Sequence, residues 1–385
     1  MHRISKLFYI LVPVLIITSC IRSYDPEILA EDEKKIVISG QVAAGDSLQK
    51  VNVSIGSPIE EPEFLPMDGC HVEISDDQGH TFVMQGAGKG DFVAEIDPVF
   101  LMPGVAFKIS VITPEGDHIE SDFDTLPPGP VLDTVYYRRE DIEGNTPQQF
   151  TMGIQFYVDL RAAESDSRYY RWEAIETWEY HAVRALTWYY DGLVHQVYPP
   201  DSSLMVCWIT KRVPTIFTLP TDNLSENRYD MFPLQFVSNK TPRLGVGYSL
   251  LVRQFAHSRE SFTYWEQTRI NSDPQGGLYE KQPLAIRGNM HNLTHPDDEV
   301  LGYFSAATVS EKRIFVSPIP DLPSEAPLIC DYQVLRKGLI EIRPELYPAY
   351  LDGNLMTWYP IWLFPECIDC RVLGGNQYKP DFWPF

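Results

Sequence analysis

The residues best suited to chemistry in this sequence stand in small groups. Cys367 and Cys370 bound a Cys-Ile-Asp-Cys run, a spacing that serves a redox pair, half of a zinc site or a short structural disulfide. No strand-helix-strand pattern surrounds it and no further ligands stand at zinc-site spacing, so the reading is a disulfide between Cys367 and Cys370. His291 and His295 have the i, i+4 spacing of a helical metal pair. The glutamate of the zinc-protease motif is missing, however, and Pro296 opposes a helix carrying both rings, so this stretch is read as a polar loop. No metal and no cofactor are expected. Glu173, Glu176 and Glu179 could supply the two carboxyls of sugar hydrolysis, which must face each other across one bond. With 53 acidic residues in the chain, such neighbours arise from composition alone, and they are read as a solvated face. Gly86, Gly88 and Gly90 suggest a phosphate cradle but lie between strand-like runs, as a hairpin loop would. There is no Gly-x-Ser-x-Gly elbow, and no catalytic residue is assigned.

Aromatic density is the other chemical feature. Tyr169, Tyr170, Trp172, Trp178, Tyr180, Trp188, Tyr189, Tyr190 and Tyr198 crowd into thirty residues. Trp172 belongs to a phase that fits the buried face of a sheet. Trp188, Tyr189 and Tyr190 are consecutive beside an Asp-Gly turn, and on a strand they cannot all point inward. Together with Trp172 and Trp178 they are the candidate ligand or interface aromatics, because exposed rings offer stacking surface to a glycan or an anchor to a protein.

These groups must be positioned by strands. From Ile36 the pattern is one of short alternating runs: Val51/Val53/Ile55, Val72/Ile74, Phe82/Met84, Phe92/Ala94/Ile96 and Phe107/Ile109/Val111. Turn residues separate them, as at Asp76-Asp77-Gln78-Gly79 and Pro114-Glu115-Gly116-Asp117. This predicts an immunoglobulin-like or transthyretin-like β-sandwich over residues 36–126. Pro127-Pro128-Gly129-Pro130 reads as a stiff hinge, followed by a larger antiparallel β domain over 131–385. Its clearest strand alternates from Phe150 to Leu160. Further strands are expected over Tyr169 to Tyr180, Leu204 to Thr210, Leu244 to Phe255 and Arg313 to Val316. One short helix is predicted from Ser258, a plausible N-cap, to Ile270, with Phe262 and Trp265 able to cover the sheet. The last seventy residues, rich in proline and aromatics, read as irregular structure. The expected fold class is therefore mostly β.

The amino terminus carries an address. Arg3 and Lys6 precede an apolar run from Leu7 to Ile17, the layout of a secretory signal over residues 1–19. Eleven helical residues reach roughly 16 Å, too short for a hydrocarbon core of about 30 Å. Ile17-Thr18-Ser19-Cys20 resembles the bacterial lipobox, which makes Cys20 the expected lipid anchor and residues 20–35 an acidic tether. The formal net charge of −22 disfavours any partner held by its phosphates, so nucleic acid is excluded. Beyond Cys20 remain Cys70, Cys207, Cys330, Cys367 and Cys370, an odd number that leaves at least one thiol free or paired outside the chain.

Several segments taken in order resemble one family. They are Cys20 followed by Tyr-Asp-Pro-Glu-Ile (24–28), Ser-Arg-Glu-Ser-Phe-Thr-Tyr-Trp (258–265), Leu-Gly-Tyr-Phe-Ser-Ala (301–306), Cys-Ile-Asp-Cys-Arg-Val-Leu-Gly-Gly (367–375) and Lys-Pro-Asp-Phe-Trp (379–383). The set is similar to the Bacteroidota lipoproteins grouped as domain-of-unknown-function family 4249. The resemblance implies an outer-membrane lipoprotein, surface display being suggested by acids after the lipidated cysteine, found with TonB-dependent transporters and having no established activity. The expected function is a non-enzymatic accessory binding or docking subunit of a TonB-dependent uptake system. The alternatives are a surface hydrolase of glycans or peptides and a structural or adhesion protein of the envelope.

Overall fold

A computed structural model describes residues 35–57, 62–143, 150–272, 286–322, 330, 332–335, 337–352 and 361–385. The secretory signal, Cys20 and nearly all of the tether lie outside the described residues. The described chain is mostly β, in several largely antiparallel sheets, as the alternation predicts. Phe150–Arg161 is a twelve-residue strand in which Ile154, Phe156, Val158 and Leu160 are buried. One α-helix occurs among the described residues, Arg259–Ser272. Ser258 caps it, its Oγ accepting from the Ser261 amide at 3.1 Å. No described helix is long and apolar enough to cross a membrane.

The largest sheet has ten strands, and eight of them follow one path: Val206–Arg212, Tyr169–His181, Tyr248–His257, Leu301–Val316, Ile36–Ala44, Leu48–Ile55, Asp91–Glu95 and Gln85–Gly88. Leu301–Val316 joins the amino-terminal strands to the later ones. Its first half pairs in parallel with Ile36–Ala44, from Val37 opposite Leu301 to Ala44 opposite Thr308. Its second half pairs antiparallel with Tyr248–His257, from His257 opposite Ala307 to Tyr248 opposite Val316. Gly302 makes the junction possible. Its φ is +101°, and a Cβ there would lie 1.9 Å from the Ile38 carbonyl oxygen.

This sheet corrects the expected two-domain division. The amino-terminal core joins Ile38, Val51, Val53, Val72, Ile74, Phe107 and Ile109 to Met290, Val300, Phe304 and Ala306 from far along the chain. Residues 36–126 therefore do not close on themselves, and residues 36–385 form one compact unit. Nor are residues 127–130 a free hinge. Prolines give up amide donors but keep their carbonyls, and these are taken by neighbours. Thr308 donates to Pro127, Ser167 to Pro128, and Gln254 and Ser310 to Pro130.

The carboxy-terminal part is more ordered than expected. Tyr332–Val334, Ala349–Asp352 and Ile361–Leu363 join Leu186–Tyr190 and Val194–Asp201 in a five-stranded sheet. The tail is fastened by two disulfides, Cys207–Cys370 and Cys330–Cys367, and Cys70 is free. The expected Cys367–Cys370 bond is thus corrected. The two cysteines sit in successive 3-10 turns, Pro365–Cys367 and Cys370–Leu373. The Cys370 amide donates to the Leu204 carbonyl, which holds this turn beside Cys207. Each sulfur therefore meets a different partner.

Candidate functional site

Alternation gives the ten-stranded sheet two unlike faces. Trp172, Ala174, Leu250 and Val252 pack into one core, and Ile38, Val42, Val51 and Phe304 into another. The residues between them in sequence point the other way, and many are polar: Arg171 and Glu173, Arg253, Ser39 and Gln41, Lys50 and Asn52, with Tyr303. The register sets them side by side. Glu173 lies opposite Arg253, which lies opposite Glu311; Ser39 lies between Asn52 and Tyr303, and Gln41 between Lys50 and Ser305.

The helix is laid across part of this face, and Arg171 fastens it there. Arg171 is only 2% exposed. Its guanidinium lies between the rings of Phe255, at 4.2 Å, and Trp265 of the helix, at 4.1 Å. In the plane it donates to Glu173 Oε1 at 2.5 Å, to His257 Nε2 at 3.1 Å and to Gln41 Oε1 at 3.4 Å. Because His257 Nε2 accepts, its proton sits on Nδ1, which donates to Ser261 Oγ of the helix at 2.9 Å. Burial, reinforced by the Arg171 charge, holds the His257 pKa well below its ordinary value. Burial alone would raise the Glu173 pKa, but the charge and hydrogen bond of Arg171, with Arg212 and Arg253, outweigh it and hold the carboxyl below the ordinary range.

Two depressions flank the helix. The first, of about 410 Å³, is lined by Ser39, Asn52, Glu173, Arg253, Trp265 and Tyr303 among others. The second, of about 560 Å³, is lined by Asp124, Glu260, Gln267, Asn289 and Tyr303 among others. Tyr264 and Tyr303 belong to both and stack on each other, ring centres 4.7 Å apart. Asp124 is 4% exposed and accepts from the Ala306 amide at 2.8 Å. Burial pushes its pKa up to about 6.

A family model described as Domain of unknown function (DUF4249) matches residues 21–313. The chain belongs to this family. No curated protein matches it. In this DUF4249 chain the matched stretch includes two of the segments that line the depressions: 258–265 supplies Ser258, Tyr264 and Trp265, and 301–306 supplies Tyr303.

The aromatics singled out from sequence lie elsewhere and pack. Trp172 is fully buried, its Nε1 donating to Gln254 at 3.1 Å, and Trp178 is buried in the same core. Trp188 and Tyr190 pack against Ala349 and Leu351, whereas Tyr189 packs against Leu186 and Tyr350. Trp188, Tyr189 and Tyr190 are each partly buried, the first and third against one cluster and the second against another, so none of the three is fully exposed. The ring that does face solvent nearby is Tyr198, 89% exposed.

The glutamates are not a solvated face either. Glu173 is held by Arg171; Glu176 binds Arg243 and the Tyr248 hydroxyl on the opposite face; Glu179 accepts from Trp383 Nε1. Strand geometry separates Glu173 and Glu179 by roughly 20 Å and turns Glu176 away from both, so no two converge on one bond. His291 and His295 each engage a separate aspartate, Asp122 and Asp117. Sequence reasoning missed Arg171, Arg253, Gln41, Tyr264 and Tyr303 as site residues. The available signal was a charged or amide residue at every second place in strands otherwise apolar.

Proposed function

We propose that this protein is a lipid-anchored outer-membrane lipoprotein, displayed at the cell surface, and a non-enzymatic binding subunit of a TonB-dependent uptake system. The anchor is Cys20, within a segment that resembles a lipobox after a basic and apolar leader. The observation that carries the binding role is the pair of depressions joined at Tyr264 and Tyr303, set in a rigid frame by Arg171, Glu173 and His257. Concave sites on a rigid scaffold with a few convergent polar groups are where ligands bind. Capture of the full chain from detergent-solubilised outer membranes tests the reading. A TonB-dependent transporter should accompany the wild-type chain, and recovery of the chain alone would overturn the partnership.

One observation favours a hydrolase instead. Asp124, with its pKa pushed up to about 6 by burial, shares the second depression with Glu260, and a buried carboxyl of raised pKa beside a second carboxyl is the arrangement of acid-base hydrolysis. Turnover of a glycan or peptide that disappears in Asp124→Asn, with fold retained, would establish that reading.

A further inference from the structure

The first depression has a chemical preference that can be read from its wall, given the binding role proposed above. Three polar atoms on side chains that line it are shut off from solvent and make no hydrogen bond: Arg253 Nε, Trp265 Nε1 and Glu173 Oε2. Arg253 Nε and Glu173 Oε2 have ion contacts at 3.4 Å, with Glu311 and Arg212 respectively. Buried polar groups are almost always hydrogen-bonded, so an indole N–H with no partner beside two atoms held only by 3.4 Å ion contacts points to a missing partner. Two of them are donors and one is an acceptor.

That mixture discriminates among ligands. A carboxylate or phosphate would accept from Arg253 and Trp265 but would face Glu173 and Asp46. An ammonium group would donate to Glu173 but would meet Arg212, Arg253 and Lys50. Most charges of the wall are already paired, Arg253 with Asp46 at 2.5 Å, Arg171 with Glu173 at 2.5 Å and Lys50 with Asp91 at 2.7 Å, while Arg212 shares Glu173 at 3.4 Å. A neutral hydroxyl both accepts and donates, and so matches the mixture of two donors and one acceptor without adding a charge to the wall. Tyr264, Trp265 and Tyr303 add aromatic surface for an apolar C–H face. The second depression adjoins across the two shared tyrosines, which suits a ligand longer than one ring.

We infer that the paired depressions bind a neutral, polyhydroxylated chain, an oligosaccharide, with one sugar unit seated between Glu173, Arg253 and Trp265. Calorimetric titration of the full chain in detergent tests this with maltohexaose, cellohexaose and mannohexaose, against hexagalacturonate and hexaalanine. At least one neutral hexasaccharide should bind saturably. Ser39→Trp, at an exposed strand position lining the depression, should fill the space without touching the core and weaken that binding at least about tenfold. Tyr198→Ala, on the distant hairpin, should leave it unchanged. Binding of hexagalacturonate or hexaalanine in preference to all three neutral chains, binding of none of these three, or an unchanged affinity in Ser39→Trp would each overturn the inference. Transporter capture without sugar binding would sink this inference alone, and sugar binding without a captured transporter would sink only the partnership.

Discussion

Replacing Arg171 with methionine should reverse the pH dependence of the site's stability. In the wild-type chain the Glu173 carboxyl is held below its ordinary value of 4.5, so its contribution is present above that pH and is lost as pH falls through the lowered value. Methionine fills much of the slot between Phe255 and Trp265 but removes the cation and three hydrogen bonds. Arg212, a 3.4 Å contact on a side chain 64% exposed, and Arg253, already paired with Asp46, are the cations left, and burial then outweighs them at Glu173. The folded-state pKa rises above the unfolded one, and stability now falls as pH increases from about 4.5 through the raised value. Breaking one partner of a buried ion pair costs about 3–5 kcal/mol, or about 4–7 °C in Tm for a chain of this length. Removing both partners, as in Arg171→Met with Glu173→Leu, should recover most of the loss. Thermal unfolding followed by circular dichroism from pH 5 to 8 measures all three chains. A single variant that loses under about 1 kcal/mol and keeps the wild-type pH profile would refute the proposed role of the pair.

Non-reducing peptide mapping should yield Cys207 linked to Cys370 and Cys330 linked to Cys367, with Cys70 alkylated before reduction; a Cys367–Cys370 peptide would contradict the fold of the tail. With a sequence separation of 163, loss of Cys207–Cys370 should cost up to about 5 kcal/mol by loop entropy, against about 4 kcal/mol for Cys330–Cys367 at 37, both read from urea midpoints. His257 has a folded pKa well below 6.5, so below pH 6.5 the unfolded chain takes up the proton first and stability is lost by about 1.4 kcal/mol per pH unit. Asp124 opposes this, since its raised pKa makes stability fall as pH rises from 3.8 to about 6. The His257 slope is therefore sought in an Asp124→Asn background, and it should vanish when His257→Asn is added. Gly302→Ala should destabilise by at least about 2 kcal/mol, because its Cβ would strike the Ile38 carbonyl at a φ of +101°; a chain as stable as wild type in urea would contradict the strand junction.

Local alternation made much of this fold legible. The strand at Phe150–Arg161 and the helix after Ser258 both declare themselves by period and cap, since each depends on near neighbours. The domain division failed because the parallel pairing of Ile36–Ala44 with Leu301–Val316 joins segments far apart in sequence, and no local period reports it. The cysteine pairing failed for the same reason: Cys370 meets Cys207 across a sequence separation of 163, on a turn held by the Leu204 carbonyl. Trp188, Tyr189 and Tyr190 divide between two clusters, both of which take residues from Ala349–Asp352, and their own sequence cannot show this. The site was half visible. Arg171 and Glu173 alternate with Trp172 and Ala174, marking a polar sheet face, but the stacking that buries Arg171 needs Trp265 from the helix.

The proposed role depends most on the covalent state of the mature amino terminus, and intact-mass spectrometry of the protein purified from its native membrane measures it directly. The account predicts a chain that begins at Cys20 and carries the mass of its acyl groups, recovered with the outer membrane. A chain that begins elsewhere, bears no acyl mass and is recovered in the soluble fraction would contradict it.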